Sequence, residues 1–187
     1  MRAIRCLPLL LALFAPAAFA ESVYQVEMIL VRQNAVPAIT SQFAPEDWSN
    51  GAQAPAEGDI RQPVMTDEAA KLAADPSQYT VLLHKAWQQD AGAVAISEGK
   101  EQFGQFPIEG NLSVTEDRFI AVDASFWVNQ FDSNGSVIQS EQLKQSNSTV
   151  KNGELTFLDG GHLALLLKVT ANRPVSAPAP APEMMEQ

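Results

Sequence analysis

The sequence predicts an α+β fold: one domain, mainly antiparallel β-sheet, with one or two short helices packed on one face. Three observations carry this. Several segments alternate apolar and polar residues with a period of two, pairs of such segments are joined by Asn-Gly or Asp-Gly-Gly turns, and one early stretch carries the marks of a helix.

The first twenty residues, MRAIRCLPLLLALFAPAAFA, stand apart from that domain. Arg2 and Arg5 precede a short apolar run, and Ala18-Phe19-Ala20 places small residues where a signal peptidase reads. This is the three-part pattern of a secretory signal peptide, with cleavage expected after Ala20. The run is too short for a bilayer span, which takes about 20 residues, and no later stretch approaches that length, so no stable membrane span is expected. Cys6 is the only cysteine of the 187 residues and lies inside this segment. Thiol catalysis and cysteine-based zinc sites are therefore excluded from the mature chain.

The first mature segment, Tyr24 to Gln33, alternates: Tyr24, Val26, Met28 and Leu30 share one face, Gln25 and Glu27 the other. Ile29 and Val31 make both faces apolar in its second half, which predicts a central strand. Residues 34–63 then lose periodicity under Pro37, Pro45, Pro55 and Pro63, and read as a long, partly ordered loop. Phe43 and Trp48 are its large aromatic groups, set either to pin the loop or to face a partner, with packing favoured. Thr66-Asp67-Glu68 is a helix start, with Thr66 as cap and two acids at the positive end of the dipole. The helix should stop near Asp75-Pro76, with Leu72 and the alanines toward the sheet.

YTVLLHKAWQQ, Tyr79 to Gln89, reads as the next strand, and Val94 to Ser97 as a short one. Ile108 to Gln130 reads as one long strand, bent near Glu116-Asp117. In it Ile120, Val122, Ala124, Phe126 and Val128 form an apolar face, opposite Phe119, Asp123, Ser125 and Trp127. Asp132 to Gly135 is a hairpin turn, since Asn-Gly takes positive φ readily, and the return strand begins at Val137. A last hairpin turns at Asp159-Gly160-Gly161, after which Leu163, Leu165, Leu167 and Val169 share a face. Beyond Arg173 the alternating Pro and Ala of residues 173–187 cannot build a core and read as a disordered tail.

Charge excludes some partners. The formal net charge of −10 becomes −12 once Arg2 and Arg5 leave, and no Lys/Arg cluster remains, so nucleic acid is not expected as a partner. His84 and His162 are the only histidines, far apart and without a second histidine nearby, so neither a metal nor another cofactor is expected. No serine sits in a Gly-x-Ser-x-Gly elbow and no phosphate-cradling glycine loop is present. Asp123, between Phe119 and Trp127, is the most noticeable lone acid.

What remains is binding. Trp87 and Trp127 lie on strands, with His84, Lys85, Gln88 and Gln89 around the first. Aromatic faces beside amides suit sugars, since the ring covers C–H groups while the amides bond hydroxyls. The competing reading is that both tryptophans are core. Trp87 shares its face with Tyr79, Val81 and Leu83, which favours burial, and Trp127 is the better candidate for exposure. His84, between Leu82 and Ala86, reads as a hydrogen-bonded structural histidine rather than a general base.

Taken together, these segments resemble the CsiV family of periplasmic peptidoglycan-binding proteins. Tyr24 to Gln33 is similar to the family's Tyr-x-Val-Glu start, and the line Leu82-x-His84-x-x-Trp87-x-Gln89 to its most distinctive strand. Ile108-Glu109-Gly110 and the hairpin from Glu154-Leu155 to Asp159 follow in the family's order, so the resemblance covers roughly residues 22–170. The chain departs from the pattern at that hairpin. Thr156, Phe157 and Asp159-Gly160-Gly161 stand where the family has aromatic or histidine residues and Asp-His-Pro, and its arginine run is reduced to Lys151. If those groups contact ligand, the departure implies weaker or altered binding.

The resemblance implies a periplasmic protein, not an enzyme, that binds peptidoglycan and works with an outer-membrane lipoprotein activator of a penicillin-binding protein. Two other readings stand beside it: a periplasmic protein–protein adaptor without glycan affinity, and a cell-wall hydrolase. The family's binding residues do not transfer one by one, so Trp87, Trp127, His84, Lys85, Gln88 and Gln89 remain candidates from their own chemistry.

Overall fold

Tyr24, Val26, Met28 and Leu30 alternate along the first strand, Val23–Gln33 (β1), and all four are buried. Ile29 and Val31 are equally buried on its other face, so this strand needs cover on both sides. The computed structural model describes residues 22–38 and 43–172; the expected signal peptide and the Pro/Ala tail lie outside the described residues. After β1 come β2 (Ile60–Arg61), one helix, α1 (Thr66–Ala73), and then β3 (Tyr79–Gln89), β4 (Gly92–Glu98), β5 (Ile108–Glu116), β6 (Ile120–Phe131), β7 (Val137–Val150), β8 (Leu155–Asp159) and β9 (Leu163–Asn172).

These strands form two sheets, in the orders β2-β3-β1-β9-β8 and β4-β5-β6-β7, with every strand pair antiparallel. The expected architecture of antiparallel sheet plus a short helix is present, with β1 central, and the single sheet has become two. The reason is area. An eight-residue helix cannot cover a whole sheet face, and the leucines of β9 need a second apolar surface. Their shared core joins Met28, Leu30, Leu165 and Leu167 of the first sheet to Leu112, Val122, Phe126 and Leu143 of the second. Each such side chain contributes about 1.5–3 kcal/mol on burial.

Ile108 to Gln130 is not one strand. Glu116 pairs with Ile120 across a tight turn at residues 117–119, so β5 and β6 form a hairpin. A continuous strand of that length, at about 3.3 Å per residue, would run roughly 75 Å, far beyond a domain of this size. Folding back lets both halves present an apolar face to the same core. Gly110 makes the pairing close: a Cβ there would press on Ser125 O and Phe126 Cδ1.

The helix covers the outer face of the first sheet. Ala69 and Leu72 pack on Ile29, Val31, Met65 and Ala164. Leu72 faces the sheet as expected, but of the alanines only Ala69 does, and Ala70 and Ala73 are exposed. Thr66 is not its cap. It is the first helical residue, Met65 stands at the cap position, and the side chain makes no capping bond. Glu27 of β1 takes the N–H groups of Val64 and Met65 instead, at 2.8 and 2.7 Å. Within the stretch read as a long loop, Glu57–Asp59 form a 3-10 turn and β2 pairs with Trp87 and Ala86. Trp48 is anchored there by Nε1 donating to Gly104 O and by edge-on contact with Phe106, whereas Phe43 is exposed.

Polar contacts also lock one sheet to the other. Tyr24 donates to Glu116 at 2.9 Å, Arg32 holds Glu141 through Nε and Nη2 at 2.9 and 3.0 Å, and Lys85 Nζ reaches Ser97 O and Glu98, both at 2.9 Å.

Candidate functional site

Strand β3 owes its two-sided character to a bulge. Its register with β1 shifts between Leu30 and Val31, so Leu83 pairs with Leu30 while Val81 pairs with Val31. The simple alternation expected from Tyr79 to Trp87 breaks there. Leu83 and Trp87 enter the core between the sheets, and Val81 packs with the helix cluster outside.

Beyond the bulge, His84, Lys85, Ala86 and Trp87 line a cleft of about 420 Å³. Its other walls are Ala54-Pro55 and Ile60 to Pro63 from the connecting segment, and Ala95 to Ser97 from β4. The cleft thus lies where an edge of each sheet meets a strap of irregular chain. Apolar side chains make much of it, and Arg61, His84 and Lys85 bring nitrogen donors.

His84 Nε2 donates to Glu27 Oε1 at 2.7 Å, and the same oxygen accepts the Val64 and Met65 amides. Glu27 is 6% exposed, so the three donors to its carboxylate supply what water would have given. His84 therefore has the structural hydrogen bond the sequence suggested, with its ring at the cleft. Lys85 bridges to Glu98, and that hydrogen bond holds the Glu98 carboxyl below its ordinary value against a smaller opposing effect of burial. Gln88 Oε1 accepts from Arg61 Nη2 at 2.7 Å. Gln89 Oε1 accepts from Trp87 Nε1 at 2.7 Å, and its own amide donates to Asp90 O and Gly92 O, closing the turn from β3 to β4.

The tryptophans depart from the sugar-stacking picture. Trp87 is 1% exposed and forms the cleft floor. Trp127, the one expected to be exposed, is 7% exposed, and that expectation is corrected. It does project from the outer face of the second sheet, opposite the apolar row of β6. It lies between Glu109 and Gln142 in register. Its Nε1 finds no acceptor among the described residues. The structure therefore does not bring Trp127 together with Trp87, because Trp87 enters the core between the sheets while Trp127 lies on the outer face of the second. Asp123 is exposed on the second sheet, also away from the His84 strand.

Three groups escaped the sequence reading. Glu109 is wholly buried beside Trp127. It accepts from Phe106 N and Asn129 Nδ2, both at 2.7 Å, and burial pushes its carboxyl above the ordinary value. Glu27 was only placed on the face shared with Gln25; its signal was being the one acid in an apolar strand. Arg61 was passed over in the loop, where it is the sole Lys or Arg of residues 34–63.

His162 donates Nδ1 to Val36 O at 2.6 Å and places Nε2 3.3 Å from Glu141, which Arg32 already holds. Among the described residues no three His, Asp or Glu side chains converge as a metal site requires, and no helix is long and apolar enough to cross a membrane.

Comparison with known proteins gives one assignment. No curated protein and no solved structure matches the chain significantly. The family model described as peptidoglycan-binding protein, CsiV, matches residues 6–74 and 59–172, which together take in both sheets, the helix and the cleft. The chain belongs to the CsiV family of peptidoglycan-binding proteins.

Proposed function

We propose that this protein binds peptidoglycan in the periplasm without turning it over, and that it uses this hold on the wall to support a lipoprotein activator of a penicillin-binding protein. The observation that carries the reading, beside family membership, is the cleft at His84, Lys85 and Trp87. It combines apolar walls, suited to the C–H faces of sugars and to alanine methyls, with hydrogen-bonding groups from Arg61, His84 and Lys85 at its rim. Trp87 acts as a packed floor that sets the cleft's shape, and Gln88 and Gln89 act by positioning Arg61 and Trp87. Trp127 supports the second sheet rather than the ligand.

The test is co-sedimentation of the purified protein with sacculi at low and high salt, repeated with Lys85→Ala and with Ser97→Trp to fill the cleft. Wild-type co-sedimentation weakened by both variants is the expected result. Absence of co-sedimentation at either salt concentration would overturn the reading. Release of muropeptides, abolished by His84→Ala, would replace it with a hydrolase.

A further inference from the structure

We infer that the open half of the first sheet's outer face is a carboxylate subsite, formed by Arg61 and Lys168, that takes the free carboxylates of peptidoglycan stem peptides. The inference rests on the peptidoglycan-binding reading and names the part of the polymer that this face recognises.

Strand register sets the arrangement. Lys168 of β9 pairs with Glu27 of β1, Glu27 with Ala86 of β3, and Ala86 with Arg61 of β2. The four stand in one row across the sheet. Ala86, in the middle, has no side chain long enough to fill the space between the cations. The adjacent row on the same face is Thr170, Gln25 and Gln88. Helix α1 covers the apolar half of this face, over Ile29 and Val31, and leaves the polar rows under the segment Gln62 to Val64. The result is a groove of about 270 Å³ that contains both Arg61 and Lys168 and adjoins the cleft through Arg61, Gln62, Ala86 and Trp87.

Both cations are available. Arg61 and Lys168 are half-buried, and neither joins a salt bridge among the described residues. Arg61 is nonetheless held in place: Nη1 donates to Gly58 O and Ile60 O and Nη2 to Gln88 Oε1, so three of its N–H groups are bonded. A guanidinium has five, and the remaining two are free to take a carboxylate. Glu27 is the opposing charge in the row. Its Oε1 is occupied by two backbone amides and by His84, which offsets its repulsion of an incoming anion. A pair of cations without carboxylate partners, in a chain of net charge −10, marks where an anion would settle. The adjoining apolar cleft would place that anion next to sugar or alanine groups, as a stem peptide on its glycan does.

The experiment measures binding of purified wild type, Lys168→Met and Lys168→Arg to two probes: glycan strands bearing tetrapeptide stems, and the same strands stripped of peptide by an amidase. Lys168 is chosen because methionine keeps the length of its stem and no hydrogen bond is lost; equal urea midpoints confirm the fold. The inference expects Lys168→Met to bind peptide-bearing strands about tenfold more weakly, as loss of one charge-assisted contact implies. Stripped strands should be bound unchanged, and Lys168→Arg should restore the loss. Equal binding by Lys168→Met and wild type, or an equal loss on both probes, would overturn it while leaving wall binding intact. A wild type that binds neither probe would remove the functional reading and this inference with it.

Discussion

His84 Nε2 stands 2.7 Å from Glu27 Oε1, and this bond joins β3 to β1 on the face where helix α1 begins. The same oxygen holds the Val64 and Met65 amides, so one buried carboxylate fixes a strand, a helix entry and a wall of the groove. Glu27→Ala should lower stability by about 2 kcal/mol, since it strands the buried Met65 amide and the part-buried donors of Val64 and His84. Glu27→Gln, which still accepts from the amides, should cost less. Urea unfolding measures both, and hydrogen exchange at Val64 and Met65 should rise in the alanine variant.

Arg32 and Glu141 form the two-pronged contact between the sheets. Arg32→Ala, Glu141→Ala and the double variant should give a coupling energy of about 1–2 kcal/mol, the range for a partly buried, charge-assisted pair. Strictly additive losses would mean that the pair contributes nothing beyond the separate packing of its members.

Glu109 makes a pH signature. Burial raises its carboxyl above the ordinary 4.5, although the Phe106 and Asn129 hydrogen bonds pull the other way. The folded chain thus holds this proton at pH values where the unfolded chain has released it. Its contribution to stability is greatest below pH 4.5 and falls as pH rises through the folded value. Glu109→Gln shifts stability by a constant amount and removes this slope. The difference, wild type minus Glu109→Gln, should therefore decrease with rising pH over that window in urea titrations. A difference that rose with pH would show that the hydrogen bonds outweigh burial.

Gly110 has no room for a side chain. Gly110→Ala drives a methyl group against Ser125 O and Phe126, and backbone cannot yield as a flexible side chain does. A loss of about 2–4 kcal/mol is expected. Gly161→Ala is the contrast. It has open space but a φ of +85°, so only strain, on the order of 1 kcal/mol, should appear. Thermal unfolding of both variants separates crowding from strain.

The strands with clean alternation were legible from the chain alone. Tyr24 to Leu30 and Leu163 to Val169 placed one row each in the core, and Asp132 to Gly135 formed the expected turn, with Gly135 but not Asn134 at positive φ. The candidate site was legible in part: the segment from His84 to Trp87 does line a cleft of about 420 Å³, and His84 is the hydrogen-bonded histidine it was read as. Trp127 misled because an alternating strand reports which face a residue occupies, not what covers that face. The β3 bulge, invisible in composition, moved Val81 off the face of Leu83 and Trp87.

Local sequence determined the period of most strands, the turns at Asp132 to Gly135 and Asp159 to Gly161, and the helix at Thr66, because each depends on neighbours within a few residues. Only the tertiary structure decided that the sheet is two, that β5 and β6 fold back, and that Arg61, Glu27 and Lys168 share a row. Those outcomes depend on pairing between strands distant in the chain, and on the burial of more apolar surface than one short helix can cover. Neither quantity is written in any single stretch of residues.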